Sequence, residues 1–131
     1  DPGISYFKEA IREAGTDVAL LAASNRNLAI LYQSKGDLEN AAVSVVSALK
    51  CMAEDEDPGT LAGLYFRAGQ LFRKLGEIEN AHHHLSESTH LYLRAGDDEA
   101  RTRSLVALSS TQTEMGEYDG ALKNLDEAVL L

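Results

Sequence analysis

The sequence predicts an all-α protein, an α-α superhelix made of stacked helical hairpins. Glycines recur at an interval of forty residues, at Gly36, Gly76 and Gly116, and each is followed by an acidic, an apolar and a second acidic residue. The composition supports helices as well, because Trp is absent, Pro occurs twice, and Ala and Leu supply most of the hydrophobic residues. Repeats of this length stack because a single unit cannot bury its own apolar face.

Apolar and small residues follow helical spacing on both sides of each glycine. Upstream of Gly36 this spacing joins Leu21, Asn25, Leu28 and Tyr32, and downstream it joins Ala41, Val45 and Ala48. Equivalent positions recur around the other two glycines, where the left-handed conformation open to glycine would end the first helix of each hairpin. We therefore predict one domain with a leading helix over 3–14 and three hairpins over 17–53, 58–95 and 97–131. The leading helix is expected to be half of a further repeat, and the last hairpin to be cut short.

These residues resemble the tetratricopeptide repeat over nearly the whole chain. The matching slots are Leu28-Ala29-x2-Tyr32 with Ala41-x3-Val45, Ala68-Gly69-x2-Phe72 with Ala81-x3-Leu85, and Leu108-Ser109-x2-Gln112 with Ala121-x3-Leu125. The period exceeds the family's usual value of about 34 residues, and is similar to that of the longer-period subclass in Pins/LGN polarity adaptors and bacterial regulators. Polar Ser109 and Gln112 stand where small and aromatic residues belong, so we expect the third hairpin to pack less well or against polar groups.

Charge and motifs exclude several classes of function. The formal net charge of −9 disfavours binding to nucleic acid and to anionic membranes. No apolar run has the length of a membrane span, and the lone Cys51 provides no disulfide and no activating neighbour for a thiolate. We find no glycine-rich phosphate loop after a strand. The chain is therefore predicted to be a cytoplasmic, non-enzymatic protein without a cofactor.

Basic residues concentrate on the predicted first helices, which within 18–35, 60–75 and 101–115 contain a single acid, Glu114. The seven basic residues there are Arg26, Lys35, Arg67, Arg73, Lys74, Arg101 and Arg103. The resemblance implies that first helices line a concave groove. The residues predicted to bind a peptide there are Arg26, Asn27, Gln33, Phe66, Arg67, Gln70, Arg73, Lys74, Arg103 and Ser110. Arginine suits carboxylates, and the amides suit a peptide backbone. Solvated charges that only keep the helix soluble are the alternative interpretation.

A histidine run, His82-His83-His84, raises the question of a metal site. Glu79, His83, Glu87 and His90 fall on one helical face, so zinc ligation is geometrically conceivable. We favour the simpler interpretation of an exposed polar face, and we predict no metal site.

Three hypotheses for function follow. The first is a protein-interaction module or scaffold that binds a protein or peptide, for which acidic peptides are the best candidates, in the groove of the first helices. The second is structural self-assembly into homo-oligomers through apolar ends of the array, at Ile4 to Ala14 and Leu125 to Leu131. The third is the sensor segment of a larger bacterial regulator.

Overall fold

The computed structural model describes residues 1–52 and 56–131, and these form seven α-helices. The helices are α1 (Pro2–Ala14), α2 (Val18–Ser34), α3 (Leu38–Cys51), α4 (Pro58–Lys74), α5 (Ile78–Ala95), α6 (Asp98–Glu114) and α7 (Tyr118–Val129). Their order confirms the predicted leading helix and three hairpins, α2–α3, α4–α5 and α6–α7. The end of the first predicted repeat, residue 53, lies outside the described residues.

The chain divides into two compact units, Asp1–Glu54 and Asp55–Leu131. In the first unit α2 packs against both α1 and α3, and in the second unit α4, α5, α6 and α7 pack in succession. The prediction of one domain stays a prediction. The buried side chains lie along the facing sides of the helices, with Val45 fully buried in the first unit and Leu71, Leu85 and Leu105 in the second.

One backbone turn closes every hairpin. Gly36, Gly76 and Gly116 have φ values of 78°, 80° and 81°, the left-handed region that glycine enters without steric cost. The residue after each glycine donates its N–H back to the carbonyl of Tyr32, Phe72 or Gln112, at 2.9, 2.9 and 2.8 Å. This is the hydrogen bond of a Schellman helix end, and the predicted role of the three glycines is confirmed.

The helices begin at acidic residues spaced twenty apart, from position 17 to position 117. Where the residue is Asp, its carboxylate accepts from the backbone N–H three residues on, as at Asp57, whose bond to the Thr60 N–H is 3.1 Å. Asp17, Asp37 and Asp97 do the same. Glu77 and Glu117 make no such bond.

The third hairpin packs through polar groups, which is one of the two predicted outcomes. The Ser109 hydroxyl donates to the Ala121 carbonyl at 3.0 Å, and the Asn124 amide donates to Gln112 Oε1 at 2.6 Å. Both α6 side chains are buried, and buried polar atoms that keep a partner avoid the cost of desolvation. The polar slots therefore join α6 to α7.

One face of α7 is apolar and exposed. Tyr118, Leu122, Leu125 and Val129, which we call the α7 stripe, are spaced at four, three and four residues and are all exposed to solvent.

None of the helices in the described part of the chain is long and apolar enough to cross a bilayer.

Replacing Gly69 by Ala should destabilise the second unit. A Cβ at Gly69 would lie 2.6 Å from Leu85 Cγ and 3.3 Å from the Leu85 backbone nitrogen, and overpacking of this kind costs roughly 1–3 kcal/mol. On the same helix, Gly63→Ala is the matched control, because its nearest neighbour would be Tyr92 Oη at 3.7 Å. We expect Gly63→Ala to stabilise by about 0.5–1 kcal/mol through helix propensity. Urea unfolding measures the free energy of unfolding of both variants, and equal changes in the two would contradict the prediction.

Shortening the acid at the start of α5 should stabilise the protein. Glu77→Asp would place a carboxylate where Asp37 bonds the Asn40 N–H at 3.2 Å in the first unit, and a capping bond is worth about 0.5–2 kcal/mol. Glu79→Asp, inside the first turn of the same helix, keeps its charge and makes no cap, so its unfolding midpoint should not rise. A thermal melt of the two variants distinguishes capping from a general effect of the shorter acid.

Candidate functional site

The predicted peptide-binding residues belong to α2, α4 and α6, and all of them are exposed or half-buried. We call the residues of α4 and α6 the first-helix face of the second unit, and those of α2 the first-helix face of the first unit. On α2, Arg26 and Asn27 are exposed, as is Ile30, while Gln33 is half-buried. Each unit therefore presents its own polar first-helix surface.

In the second unit two of the predicted residues of α4, Phe66 and Arg73, contact α6. Phe66, Arg67, Gln70, Arg73 and Ser110 are half-buried, while Lys74 and Arg103 are exposed. The two helices are tied together by Arg73, whose Nε and Nη2 donate to Glu114 Oε1 at 3.0 and 2.9 Å. The Arg73 charge is thus offset within the protein.

The other end of this surface is arranged around Arg103. Its Nη1 lies 3.3 Å from Glu99 Oε1 one turn earlier on α6, and the Arg103 side chain is 60% exposed, so this pair is worth little. The Tyr92 hydroxyl of α5 reaches the same end, beside Gly63 of α4. Burial raises the pKa of the Tyr92 hydroxyl, against the opposing influence of Arg103. Tyr92 stays neutral and can donate a hydrogen bond next to an available guanidinium.

The middle of the surface is apolar. Phe66 packs against a buried cluster of Leu85, Ala107 and Leu108 and keeps part of its ring exposed. Next to Ala107, Val106 is 46% exposed. Sequence reasoning missed Val106, although it stands forty residues after Phe66 and so occupies the same slot of the following repeat.

Arg101 does not belong to this surface, although it is one of the basic first-helix residues. Its side chain is 11% exposed and pairs with Glu127 of α7, and its Nε has no hydrogen-bond partner among the described residues. The charge of Arg101 therefore serves the packing of α6 on α7.

The histidines of α5 do not converge on a metal site. Within residues 1–52 and 56–131, no group of three or more His, Cys, Asp or Glu side chains is arranged to hold an ion. His84 instead packs its ring against Phe72 and Tyr65 of α4, with centroids 5.0 and 5.8 Å apart. Its Nδ1 lies 2.7 Å from the Asn80 carbonyl oxygen. His84 is a packing residue of the α4–α5 hairpin.

The seven helices and the repeated glycine turns define a helical-repeat protein with a tetratricopeptide-like fold. Comparison with solved structures agrees. BtubC from P. vanneervenii superposes with a TM-score of 0.78 at 15% identity, over 95% of this chain and 53% of that one. A point mutant of MamA superposes with a TM-score of 0.62 at 19% identity, over 96% of this chain and 89% of that one. MamA itself superposes with a TM-score of 0.51 at 17% identity, over 96% of this chain and 84% of that one.

A sequence relative is also found. The chain is 31% identical over 105 residues to the protein CTR9 homolog of Arabidopsis thaliana, a match that includes 80% of this chain. The chain spans 9% of the length of that plant protein, and about half the length of the BtubC chain. No family model matches the sequence.

Acid should destabilise the α4–α5 hairpin through His84. Burial lowers the pKa of His84 below its ordinary value of 6.5, and the neighbouring His83 acts in the same direction, while the Asn80 carbonyl and Glu87 oppose them. The folded protein thus favours the neutral ring, so stability is complete above pH 6.5 and is lost as the pH falls from there through the folded pKa.

We expect the melting temperature of the wild type to fall between about pH 7.5 and about pH 5.5, and His84→Phe, which keeps an aromatic ring, to show a smaller fall. His90→Gln is the control, because His90 is exposed on the same helix. If the melting temperature of His84→Phe fell with pH as much as that of the wild type, the acid sensitivity would come from other groups.

Proposed function

We propose that the chain is a non-catalytic protein-interaction module that binds a peptide on its first-helix faces. The observation that supports this most directly is exposed Arg103 of α6, whose charge acts on the Tyr92 hydroxyl. The same two first helices, α4 and α6, also carry the partly exposed apolar side chains Phe66 and Val106. A guanidinium and a neutral phenol can bind one carboxylate, and two apolar side chains beside them can contact a neighbouring residue of the ligand. The preferred ligand is an acidic peptide with an apolar residue close to its acid.

The charges of α4 favour the same ligand. Its charged residues are Arg67, Arg73 and Lys74, without an acid. Lys74 and Arg103 are the exposed cations of this surface, and we assign them to ligand acids together with Arg67. Gln70 and Ser110 are assigned to the ligand backbone. In the first unit, Arg26, Asn27 and Gln33 are assigned the corresponding role.

Membership of the longer-period subclass and a cytoplasmic location belong to this proposal. The likeness to tetratricopeptide folds supports a scaffold, since an array of hairpins offers extended surfaces for partners. The third possibility, that the chain is the sensor segment of a larger bacterial regulator, stays a hypothesis.

Self-assembly is the second candidate, and the α7 stripe is the observation that favours it. The exposed side of α1 offers little apolar surface for such a contact, because it presents Ser5, Lys8, Glu9 and Arg12 to solvent together with a single exposed aromatic, Tyr6.

Removing one arginine from the first-helix face should weaken peptide binding. A ligand selected from a peptide library displayed on phage, labelled and measured by fluorescence anisotropy, is expected to bind Arg103→Ala about tenfold more weakly, as for the loss of a charged hydrogen bond. Its affinity should also fall with salt.

The matched control for this variant is Arg94→Ala, which removes the same side chain from an exposed position of α5, a second helix. Equal losses of peptide affinity in the two variants would show that the effect comes from net charge alone, which would contradict the assigned surface. If Arg103→Ala bound the peptide as tightly as the wild type, and Leu122→Gln bound it more weakly, the ligand would lie on α7.

A further inference from the structure

Gly63 lies in the interior of α4, where the packing of the helices does not require a glycine. Glycine is unfavourable inside a helix because it loses more backbone freedom on folding than any other residue. At Gly69 of the same helix the contact with Leu85 explains the missing side chain, since a Cβ there would lie 2.6 Å from Leu85 Cγ. At Gly63 the nearest described atom to an added Cβ is Tyr92 Oη at 3.7 Å, an ordinary van der Waals distance. Alanine would therefore fit at position 63 and would favour the helix.

Gly63 stands on the first-helix face of the second unit. It precedes Phe66, Arg67 and Gln70 by three, four and seven residues, so it lies on the same side of α4 as these predicted binding residues. Arg103 stands forty residues after Gly63 and occupies the same slot on the next first helix. The glycine therefore belongs to the surface to which peptide binding is assigned.

Two polar groups are available near this position. The Tyr92 hydroxyl adjoins Gly63. Burial raises the pKa of Tyr92 and the charge of Arg103 opposes this change, so the guanidinium acts on the same hydroxyl. Glu99 is 88% exposed at 3.3 Å from Arg103, and a ligand acid can replace so exposed a partner at little cost. A neutral hydrogen-bond donor and a displaceable cation thus accompany a stretch of helix backbone without a side chain.

A residue that weakens its own helix without a packing reason is expected at a functional site, because proteins break local rules of stability mainly there. Glycine is the usual residue where a ligand must approach the backbone closely. Alanine at position 63 would place a methyl group in the space beside the Tyr92 hydroxyl. Gly63 thereby keeps open a place that its helix would gain stability by filling.

We propose that Gly63 is a specificity-determining residue of the peptide site, and that the acid-bearing residue of the ligand lies over it. The acid then accepts from the Tyr92 hydroxyl and pairs with Arg103 in place of Glu99. This placement rests on the proposed function, because it locates the acid of the peptide assigned to the first-helix face.

The variant Gly63→Ala separates a role in binding from a role in folding. Its unfolding midpoint in urea should rise, because alanine has the higher helix propensity. The labelled peptide selected by phage display on the wild-type chain should bind it about tenfold more weakly in fluorescence anisotropy, as expected for one methyl group added to a binding site. A purely structural role would not combine a gain in stability with a loss of affinity.

Variants of the peptide locate its acid. Each Asp or Glu of the selected peptide is replaced by Ala in turn, and the replacement that removes the effect of Arg103→Ala identifies the acid that pairs with this guanidinium. With that shortened peptide, Gly63→Ala should bind nearly as well as the wild type, because the added methyl group then meets a smaller side chain.

His90→Ala is the matched control for increased helix stability. His90 is exposed on α5, in the same unit, and alanine has a higher helix propensity than histidine. Its unfolding midpoint should rise as well, whereas its affinity for the selected peptide should equal that of the wild type.

Three results would overturn the placement of the ligand over Gly63 while leaving the peptide site intact, provided that Arg103→Ala weakens binding. The first is wild-type affinity in Gly63→Ala. The second is an equal loss of affinity in His90→Ala. The third is a loss in Gly63→Ala that keeps its full size with every shortened peptide. If Arg103→Ala bound the selected peptide as tightly as the wild type, the proposed function itself would fail, and the role of Gly63 with it.

Discussion

The left-handed turn at the glycines is the constraint on which the rest of the structure depends. A φ near +80° at Gly36, Gly76 and Gly116 reverses the chain after the same backbone hydrogen bond in every hairpin, as in Tyr32 with Asp37. A side chain at these positions would strain the backbone. Because the turn is the same each time, each second helix starts in the same register against its first helix. Residues forty apart therefore occupy equivalent positions, and their differences show what each repeat does.

One such set of positions illustrates how different side chains solve one packing problem. Ala29, Gly69 and Ser109 occupy equivalent slots on the first helices, all buried. At Gly69 the missing side chain leaves room for Leu85, whereas at Ser109 a hydroxyl donates to the backbone of α7. Close apolar packing and a buried hydrogen bond are both compatible with the same hairpin geometry. The repeat therefore tolerates a polar core in its third hairpin.

Periodicity explains which features could be predicted from the sequence. The order of the helices and the glycine turns follow from positions along one helix, which sequence spacing reports directly. For the third hairpin, spacing identified the polar slots Ser109 and Gln112 but left poorer packing and polar packing both open, because their partners lie on α7. The pairing of Arg73 with Glu114, the burial of Arg101 and the exposure of Val106 depend on neighbouring helices and on how far a long side chain reaches across them. The peptide-binding role of the first-helix residues stays a prediction, since their positions on a surface do not by themselves identify a ligand.

The first-helix face of the second unit and the α7 stripe differ in the side chains that they expose. The first-helix face combines half-buried Phe66 with exposed cations such as Arg103, so charge would contribute to the peptide binding proposed for it, and salt would weaken that binding. The α7 stripe presents four exposed apolar side chains, so any contact there would be governed by burial of apolar surface. The same forty-residue repeat therefore gives surfaces of different character on α6 and α7.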